Sequence, residues 1–272
     1  MIFLDYPSIS PIIFSIGPLE IRWYSLAYIT GFLFSWQYIK YLSSQKKLYN
    51  FKNSLTNQAV DDLIFYSILG LILGARIGYV LFYNFDFYLD RPMHIFYVWE
   101  GGLSFHGGLS GIVLAIFYIK HLYKLKFFVI SDLICASAPV GICLGRLSNF
   151  VNGELFGRPA SIFFGMIFPS ADDQYRHPSQ LYEAFFEGLI LFIILNLLIF
   201  SYKKLSSPGY ISSLFLIFYG IFRFIIEFSR EPDIQLGLVY KFLTMGMVLS
   251  IPMFLAGIFI LILSQYKNDI RK

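Results

Sequence analysis

Charged residues are scarce in this chain: they make up only 14% of its 272 residues, against about 25% in an ordinary globular protein. Hydrophobic residues reach 57% and aromatic residues 20%. This composition excludes a disordered chain, a collagen-like fibre and a disulfide-rich scaffold. It also disfavours a water-soluble domain, because too little polar sequence remains to cover a water-facing surface.

Cysteine is also scarce. The two that exist, Cys135 and Cys143, lie in one apolar stretch at a spacing that fits no zinc site, and we interpret them as packed, reduced thiols. The chain has no P-loop, no GxSxG and no HExxH motif. Phosphate binding by a P-loop, serine hydrolysis and zinc proteolysis of the usual kinds are therefore not predicted.

Long apolar segments take up most of the sequence. A bilayer core needs about 20 apolar residues per helix, and the sequence offers seven candidates, at approximately 19–39, 60–83, 103–120, 128–150, 181–200, 210–228 and 238–264. We predict an all-α, polytopic integral membrane protein with seven transmembrane helices, forming a single domain over residues 1–272. One loop is long, at approximately 151–180, and is rich in Gly, Pro and Asp.

Lysine and arginine are unevenly distributed over the predicted loops. Twelve cations lie after the first, third and fifth spans and at the C-terminus, whereas the opposite loops hold only Arg91, Arg158, Arg176 and Arg230. Cytoplasmic loops carry the excess of positive charge. The C-terminus is therefore predicted to be cytoplasmic and, with seven spans, the N-terminus lies on the outer side, which is the periplasm if the membrane is a bacterial inner membrane. In a membrane protein the net charge of +4 is informative through the side on which the cations lie, and no nucleic acid is predicted as a partner.

Several polar residues lie inside the predicted spans at a similar depth. Arg76, Arg146 and Arg223 lie about 10, 6 and 8 Å below the outer ends of the second, fourth and sixth spans, at a rise of about 1.5 Å per residue. His106 and Tyr24 lie near the outer starts of the third and first spans. Because ionisable groups in hydrocarbon usually face a cavity or a partner, this convergence predicts a chamber for an anionic ligand, open to the outer leaflet.

Each of these residues also has a simpler interpretation. Arg76, Arg146 and Arg223 could extend to the lipid headgroups, and Tyr24 could belong to the interfacial aromatic belt. Glu227 lies four residues after Arg223 and Arg230 lies seven after it, so the three side chains would line one helix face, and a structural ion pair is the favoured role for Glu227.

His106 alone is weak evidence for a site, because a lone histidine is usually only hydrogen-bonded. The glycines around it, however, allow the backbone to approach either a ligand or another helix. These glycines are Gly101, Gly102, Gly107, Gly108 and Gly111. A second glycine stripe, at Gly70, Gly74 and Gly78, has the small-xxx-small spacing of close helix packing.

Guanidinium groups bind phosphate with paired hydrogen bonds, and a lipid phosphate is the obvious local anion. The residues alone therefore indicate a membrane protein that binds an anionic lipid or a similar phosphate, with an enzyme as one possibility. One alternative is a transporter or flippase, which should carry polar groups near the midplane, whereas here they crowd the outer third. Another is a different lipid-phosphate transferase, whose acceptor is not a thiol.

Six sequence blocks resemble the hallmark blocks of the prolipoprotein diacylglyceryl transferase family. They are RWY at 22–24, GARIGYV at 74–80, FHGG at 105–108, GRLSNFVNGELFGR at 145–158, RHPSQLYE at 176–183 and YGIFRFIIEFSR at 219–230. The blocks occur in order across nearly the whole chain, and the fourth is the most specific. The segment between Arg158 and Arg176 is short beside longer family members, which affects the expected shape of the substrate entrance.

The resemblance implies a multi-pass enzyme of the bacterial cytoplasmic (inner) membrane with its active site near the periplasmic leaflet. The family moves the diacylglyceryl group of phosphatidylglycerol, a membrane lipid, to the lipobox cysteine in the signal peptide of a prolipoprotein. A thioether forms and glycerol 1-phosphate leaves, which is the first step of lipoprotein maturation. No metal or organic cofactor is expected, because the phosphate already makes the lipid reactive.

The resemblance also assigns roles to residues. Carried over by motif, the phosphatidylglycerol-binding residues are Arg146, Asn149, Glu154 and Gly157, to which we add Arg76. The predicted catalytic residues are Arg223, Glu227, Tyr24 and His106. His106 is the candidate general base for the substrate thiol, because an imidazole transfers protons near neutral pH.

Overall fold

The computed structural model describes residues 6–7, 9–17, 19–49, 54–160, 165–232 and 243–269. Long helices dominate this part of the chain, and a short helix, α3, connects two of them. In chain order the helices are α1 (Trp23–Ser44), α2 (Asn57–Phe82), α3 (Phe85–Asp90), α4 (Phe105–Leu122), α5 (Phe127–Val151), α6 (Ser179–Phe200), α7 (Tyr210–Ile226) and α8 (Met245–Asp269).

Five of the described helices, α2, α4, α5, α6 and α8, are both long and apolar enough to cross a membrane. Helix α7 is apolar but shorter, at 17 residues. The chain is therefore a helical, multi-pass membrane protein. The count of seven spans and the orientation of the termini stay predictions.

Small antiparallel strand pairs modify the all-α prediction. Strand β1 (Ile12–Ile16) pairs with β2 (Leu19–Arg22), so the predicted first span was wrong at its start: residues 19–22 belong to a hairpin, and the helix begins at Trp23. Strand β3 (Met166–Ile167) pairs with β4 (Tyr175–Arg176) inside the long loop. The start of the predicted last span, 238–242, lies outside the described residues.

The helix pairs α2/α4, α7/α8 and α1/α5 pack most extensively, and α5 contacts α1, α4, α6 and α7. Helix α5 therefore occupies the centre of the bundle. Close α2/α4 packing depends on the predicted glycine stripe, because a Cβ on Gly78 would lie 2.9 Å from the Cα of Gly107. The glycines that follow His106 thus approach another helix.

A buried carboxylate fixes the start of α7. Asp132 of α5 accepts hydrogen bonds from the backbone N–H groups of Gly209 and Ser212, both at 2.7 Å, and from the Ser212 hydroxyl at 2.6 Å. Because the first N–H groups of a helix have no partner within it, Asp132 supplies the cap. This contact holds α7 against the central helix.

Candidate active site

Six charged side chains form what we call the arginine–glutamate cluster, at the end of the bundle where α5 and α7 end and α6 begins. The cluster joins three helices and the turn that follows α7. Its members are Arg146 of α5, Glu183 and Glu187 of α6, Arg223 of α7, and Glu227 and Arg230 just beyond α7.

Glu183 is the centre of this cluster. Its carboxylate is fully buried and lies 3.1 Å from Nε of Arg146 and 2.9 Å from Nη1 of Arg230. Arg223 also donates a hydrogen bond to the same carboxylate through Nη1. One carboxylate thus holds three guanidinium groups, and it is the contact that brings Arg146 and Arg223 together.

The other two carboxylates differ in how closely they are paired. Oε2 of Glu227 lies 2.9 Å from Nη2 of Arg223, one helical turn away. Glu187 is fully buried, and its oxygens lie 3.7 Å from both Nη2 of Arg146 and Nη1 of Arg223. A hydrogen bond to a carboxylate is normally below about 3.2 Å, so Glu187 has charge partners without a hydrogen bond from them.

Two of the three arginines are the most accessible members of the cluster, whereas Arg230 is buried. The side chains of Arg146 and Arg223 are 20% and 14% exposed, whereas those of Glu183 and Glu187 are 0% exposed. The carboxylates therefore lie behind the guanidinium groups. An approaching ligand meets two arginines first, and this arrangement suits an anion.

Helical periodicity explains why these side chains meet. Glu183 and Glu187 are four residues apart on α6, and Arg223 and Glu227 are four apart at the end of α7, so each pair shares a face. Between the two glutamates α6 adopts a π-helical turn, Ala184–Ile190, a distortion that is frequent at functional sites. A Cβ on Gly188 would lie 2.5 Å from Cβ of Cys143, so this glycine allows α6 to approach α5.

The last turn of α5 and the tight turn that follows it contain three of the predicted substrate-binding residues. The Asn149 amide donates a hydrogen bond of 2.7 Å to Oε1 of Glu154. The side chains of Ser179 and Gln180, at the start of α6, donate to the carbonyls of Leu155 and Glu154 at 3.0 and 2.6 Å. Leu155 adopts a φ of 58°, which is strained for a branched residue, and these bonds hold it in place.

Gly157 connects this turn to the cluster. Its N–H donates to the carbonyl of His177 at 2.8 Å, and its backbone forms a bridge with that of Arg230. A Cβ at this position would lie 2.7 Å from Cβ of His177 and would also collide with the carbonyl of Ser229. Only glycine fits here without moving backbone that positions Arg230.

Two titratable groups in the loop before α6 have shifted pKa values. Arg176 donates two hydrogen bonds of 2.8 Å to Asp172 and lowers the pKa of that carboxyl. Partial burial lowers the pKa of His177, so its imidazole is neutral at pH 7. Arg176 also contacts Glu231 at 3.0 Å, which ties the loop to the segment after α7.

Arg76 contacts a different part of the protein from the arginines of the cluster. Its guanidinium donates to the backbone carbonyls of the segment 94–102, including Ile95 at 2.9 Å and Gly101 at 2.6 Å, and stacks 5.1 Å from the Tyr88 ring. These contacts make Arg76 a brace for the α3–α4 connection. They differ from the headgroup or phosphate contacts expected from its depth, and its role in substrate binding stays a prediction.

His106 and Tyr24 occupy different surroundings. The exposed His106 lines an apolar groove of about 550 Å³ between α2 and α4, and its ring contacts Phe105. Within the described ranges, no hydrogen bond or ion pair joins His106 to the arginine–glutamate cluster. The Tyr24 ring packs 5.2 Å from that of Tyr28, which in turn lies within electrostatic range of Arg146.

Comparison with known proteins places this arrangement in a family. The family model described as prolipoprotein diacylglyceryl transferase matches residues 11–263. The chain is 47% identical to the phosphatidylglycerol–prolipoprotein diacylglyceryl transferase of Rickettsia felis over 264 residues, covering 97% of this chain and 100% of the relative. It belongs to the prolipoprotein diacylglyceryl transferase family. The protein of the same name from Rickettsia bellii is 44% identical over 265 residues, covering 97% of this chain and 99% of the relative.

Sequence reasoning on this transferase-family chain missed three members of the site. Glu183 and Glu187 belong to the cluster, and the Tyr219 hydroxyl faces Glu187. A signal for the glutamates was present: two acids four residues apart inside an apolar segment are costly unless they have partners. The sequence around Glu183 gave no indication that this residue contacts three arginines from other parts of the chain.

Proposed function

We propose that this chain transfers the diacylglyceryl group of phosphatidylglycerol to the lipobox cysteine of a prolipoprotein, and that Arg146 and Arg223 bind the lipid phosphate. One observation carries the proposal. Two accessible guanidinium groups from separate helices meet in front of buried carboxylates. Family membership over residues 11–263 supports the reaction class.

The chemistry requires a binding site for negative charge. The substrate thiolate forms a new S–C bond to the carbon of the diacylglyceryl group that carries the phosphate. The bond between this carbon and the phosphate oxygen breaks, and glycerol 1-phosphate leaves with the electron pair. Arg146 and Arg223 hold the phosphate and stabilise the charge that develops on it in the transition state. The nucleophile is the thiolate of the substrate, and neither Cys135 nor Cys143 of this chain takes that role in the proposal.

The thiol proton needs an acceptor, and we keep His106 as the candidate. Its imidazole is exposed in the α2/α4 groove, whose walls include Leu73 and Leu114. An apolar groove of this kind suits an acyl chain or an apolar peptide segment, and it gives substrates access to His106. If His106→Gln retains near-normal turnover, this assignment is wrong.

The remaining predicted site residues have supporting roles in the proposal. Asn149, Glu154 and Gly157 shape the turn that positions Arg230, and Tyr24 extends the polar surface next to Arg146 through Tyr28. Arg76 fixes the connection that leads into the α4 helix and thereby supports the position of His106.

We further propose a single domain in the bacterial inner membrane with seven spans, a periplasmic N-terminus and a cytoplasmic C-terminus. The cluster then lies near the periplasmic leaflet, where prolipoproteins emerge. Cation sorting between the loops supports this orientation. Labelling of single cysteines introduced at Lys47 and Asp172 with a membrane-impermeant thiol reagent tests it: in spheroplasts, only the one at Asp172 should react.

The decisive experiment incubates purified protein with phosphatidylglycerol and a lipobox peptide. A thioether-linked product and released glycerol phosphate are expected, and the Cys→Ser peptide should be inert. Replacing Arg146 or Arg223 by glutamine should lower kcat/KM by about 10²–10³-fold, the usual effect of removing one charge-stabilising group. Arg22→Gln is the matched control, because Arg22 is exposed and, among the described residues, its ion pair is with Glu20 and not with the cluster. Undiminished activity in both cluster variants would reject the phosphate-binding role.

A further inference from the structure

Glu187 stands out among the charged groups of the cluster. It is fully buried on the π-helical turn of α6, its oxygens lie 3.7 Å from the nearest guanidinium nitrogens of Arg146 and Arg223, and the hydrogen bond it accepts comes from the neutral Tyr219 hydroxyl. Leaving a buried carboxylate without a hydrogen-bonded cation is costly. Glu187 also has no part in the phosphate contacts proposed above. Its position therefore requires a separate explanation.

Charge balance supplies one. The cluster contains three guanidinium groups and three carboxylates, so it is neutral when all are ionised. Phosphatidylglycerol brings one further negative charge to Arg146 and Arg223. In a poorly solvated site, an uncompensated negative charge close to the carboxylates is strongly unfavourable. Uptake of one proton by a carboxylate restores neutrality.

The geometry identifies which carboxylate takes the proton. Glu183 contacts three guanidinium groups and Glu227 lies 2.9 Å from Arg223, so both are stabilised as anions. Glu187 lies 3.7 Å from Arg146 and from Arg223, the two groups that turn to the phosphate. The other titratable groups that face it are Tyr219 of α7 and Glu183 of its own helix. Neither compensates its charge by an ion pair.

We propose that Glu187 takes up one proton from water when the phosphate of phosphatidylglycerol binds between Arg146 and Arg223. Lipid binding is then coupled to protonation, and Glu187 acts as a positioning residue that keeps the two arginines available to the phosphate. This inference rests on the proposed function, because it requires an anionic lipid at the cluster. It predicts that lipid affinity falls by about tenfold per pH unit between the titration of Glu187 in the free protein and its titration in the lipid-bound protein.

The test measures proton uptake directly. Isothermal titration calorimetry of full-length protein in nanodiscs with short-chain phosphatidylglycerol is repeated in buffers of different ionisation enthalpy, which gives the number of protons taken up. About one proton is expected for the unmodified protein and about none for Glu187→Gln. Glu231→Gln, a carboxylate-to-amide change outside the cluster, is the matched control and should still take up about one. The KM for the lipid should rise with pH in the unmodified protein and stay flat in Glu187→Gln, with kcat much less affected.

Each outcome bears on the proposal. No proton uptake by unmodified protein that binds the lipid overturns it, whether or not the glutamine variant folds. Persistent uptake by Glu187→Gln also overturns it. Uptake retained in Glu187→Asp and lost in Glu187→Gln supports it, since only the former keeps a carboxyl group. A failure of unmodified protein to bind phosphatidylglycerol at all rejects the proposed function, and with it this inference.

Discussion

Glu183→Gln is the change that most directly tests the cluster. Glu183 is fully buried and contacts Nε of Arg146 at 3.1 Å, Nη1 of Arg230 at 2.9 Å and Nη1 of Arg223. Breaking a buried ion pair by removing one partner costs about 3–5 kcal/mol, because the remaining charge stays desolvated. This substitution preserves the shape of the side chain and removes the charge that three guanidinium groups share.

The expected loss lies at the lower end of that range. Glutamine retains one acceptor oxygen, which can keep the contacts with Arg223 and Arg230, while its amide N–H₂ meets Nε of Arg146, donor against donor. We therefore expect about 3 kcal/mol less free energy of unfolding. At about 1.4 kcal/mol for each factor of ten, the unfolding equilibrium shifts by more than about a hundredfold.

Reversible unfolding in mixed micelles, titrated with dodecyl sulfate, measures this change. Glu231→Gln is the matched control, because Glu231 also pairs with an arginine but its side chain is 40% exposed. Exposed pairs contribute no more than about 1 kcal/mol. Equal losses for the two variants would refute the conclusion that Glu183 holds the cluster together. A double-mutant cycle with Arg230→Gln should show non-additive effects, since the two side chains are in contact.

Three further predictions concern the surroundings of the cluster. Gly157→Ala should reduce transfer activity more than about tenfold, because the added Cβ collides with packed backbone. Gly141→Ala is the control: a Cβ at this position has none of the described neighbouring atoms within 4 Å, so activity in the same assay should stay near normal. Arg76→Gln should destabilise the protein by about 2 kcal/mol and accelerate hydrogen exchange in residues 94–102, because the carbonyls that face the buried Arg76 side chain lose their donor. Arg176 lowers the pKa of Asp172, so their ion pair stabilises the folded protein fully at pH values above the ordinary pKa of an aspartate. This stabilisation is lost as the pH falls through the lowered pKa of Asp172 in the folded protein. Thermal unfolding from neutral to acidic pH should show this loss, and Asp172→Asn should weaken it.

The sequence predicted well those features that depend on local pattern. Apolar runs located the helices to within a few residues, and the glycine spacing of α2 predicted its close approach to a neighbouring helix. The pairing of Arg223 with Glu227 followed from their separation of four residues. Each of these results depends on periodicity within one helix, which a single sequence contains.

Features that depend on packing between helices were less accessible. Depth alone placed Arg76 with Arg146 and Arg223, but depth does not specify the direction in which a side chain points around the helix axis. The structure turns Arg76 to the carbonyls of 94–102 instead. The start of α1 was misplaced for a related reason, because residues 19–22 pair with the preceding strand, and this pairing is a contact between two segments that the apolar pattern of one segment does not show.

The cluster also shows why a count of arginines is insufficient evidence for an anion site. Three guanidinium groups matched by three carboxylates carry no net charge, and on that count alone the site should not favour an anion over a neutral ligand. The selectivity arises from placement: the carboxylates are buried behind Arg146 and Arg223, and one of them, Glu187, lies too far from either arginine for a strong hydrogen bond. When Arg146 and Arg223 bind a ligand, the interaction that costs the least free energy to give up is therefore the one with Glu187. The free energy of phosphate binding consequently depends on the protonation of a group that the phosphate does not touch.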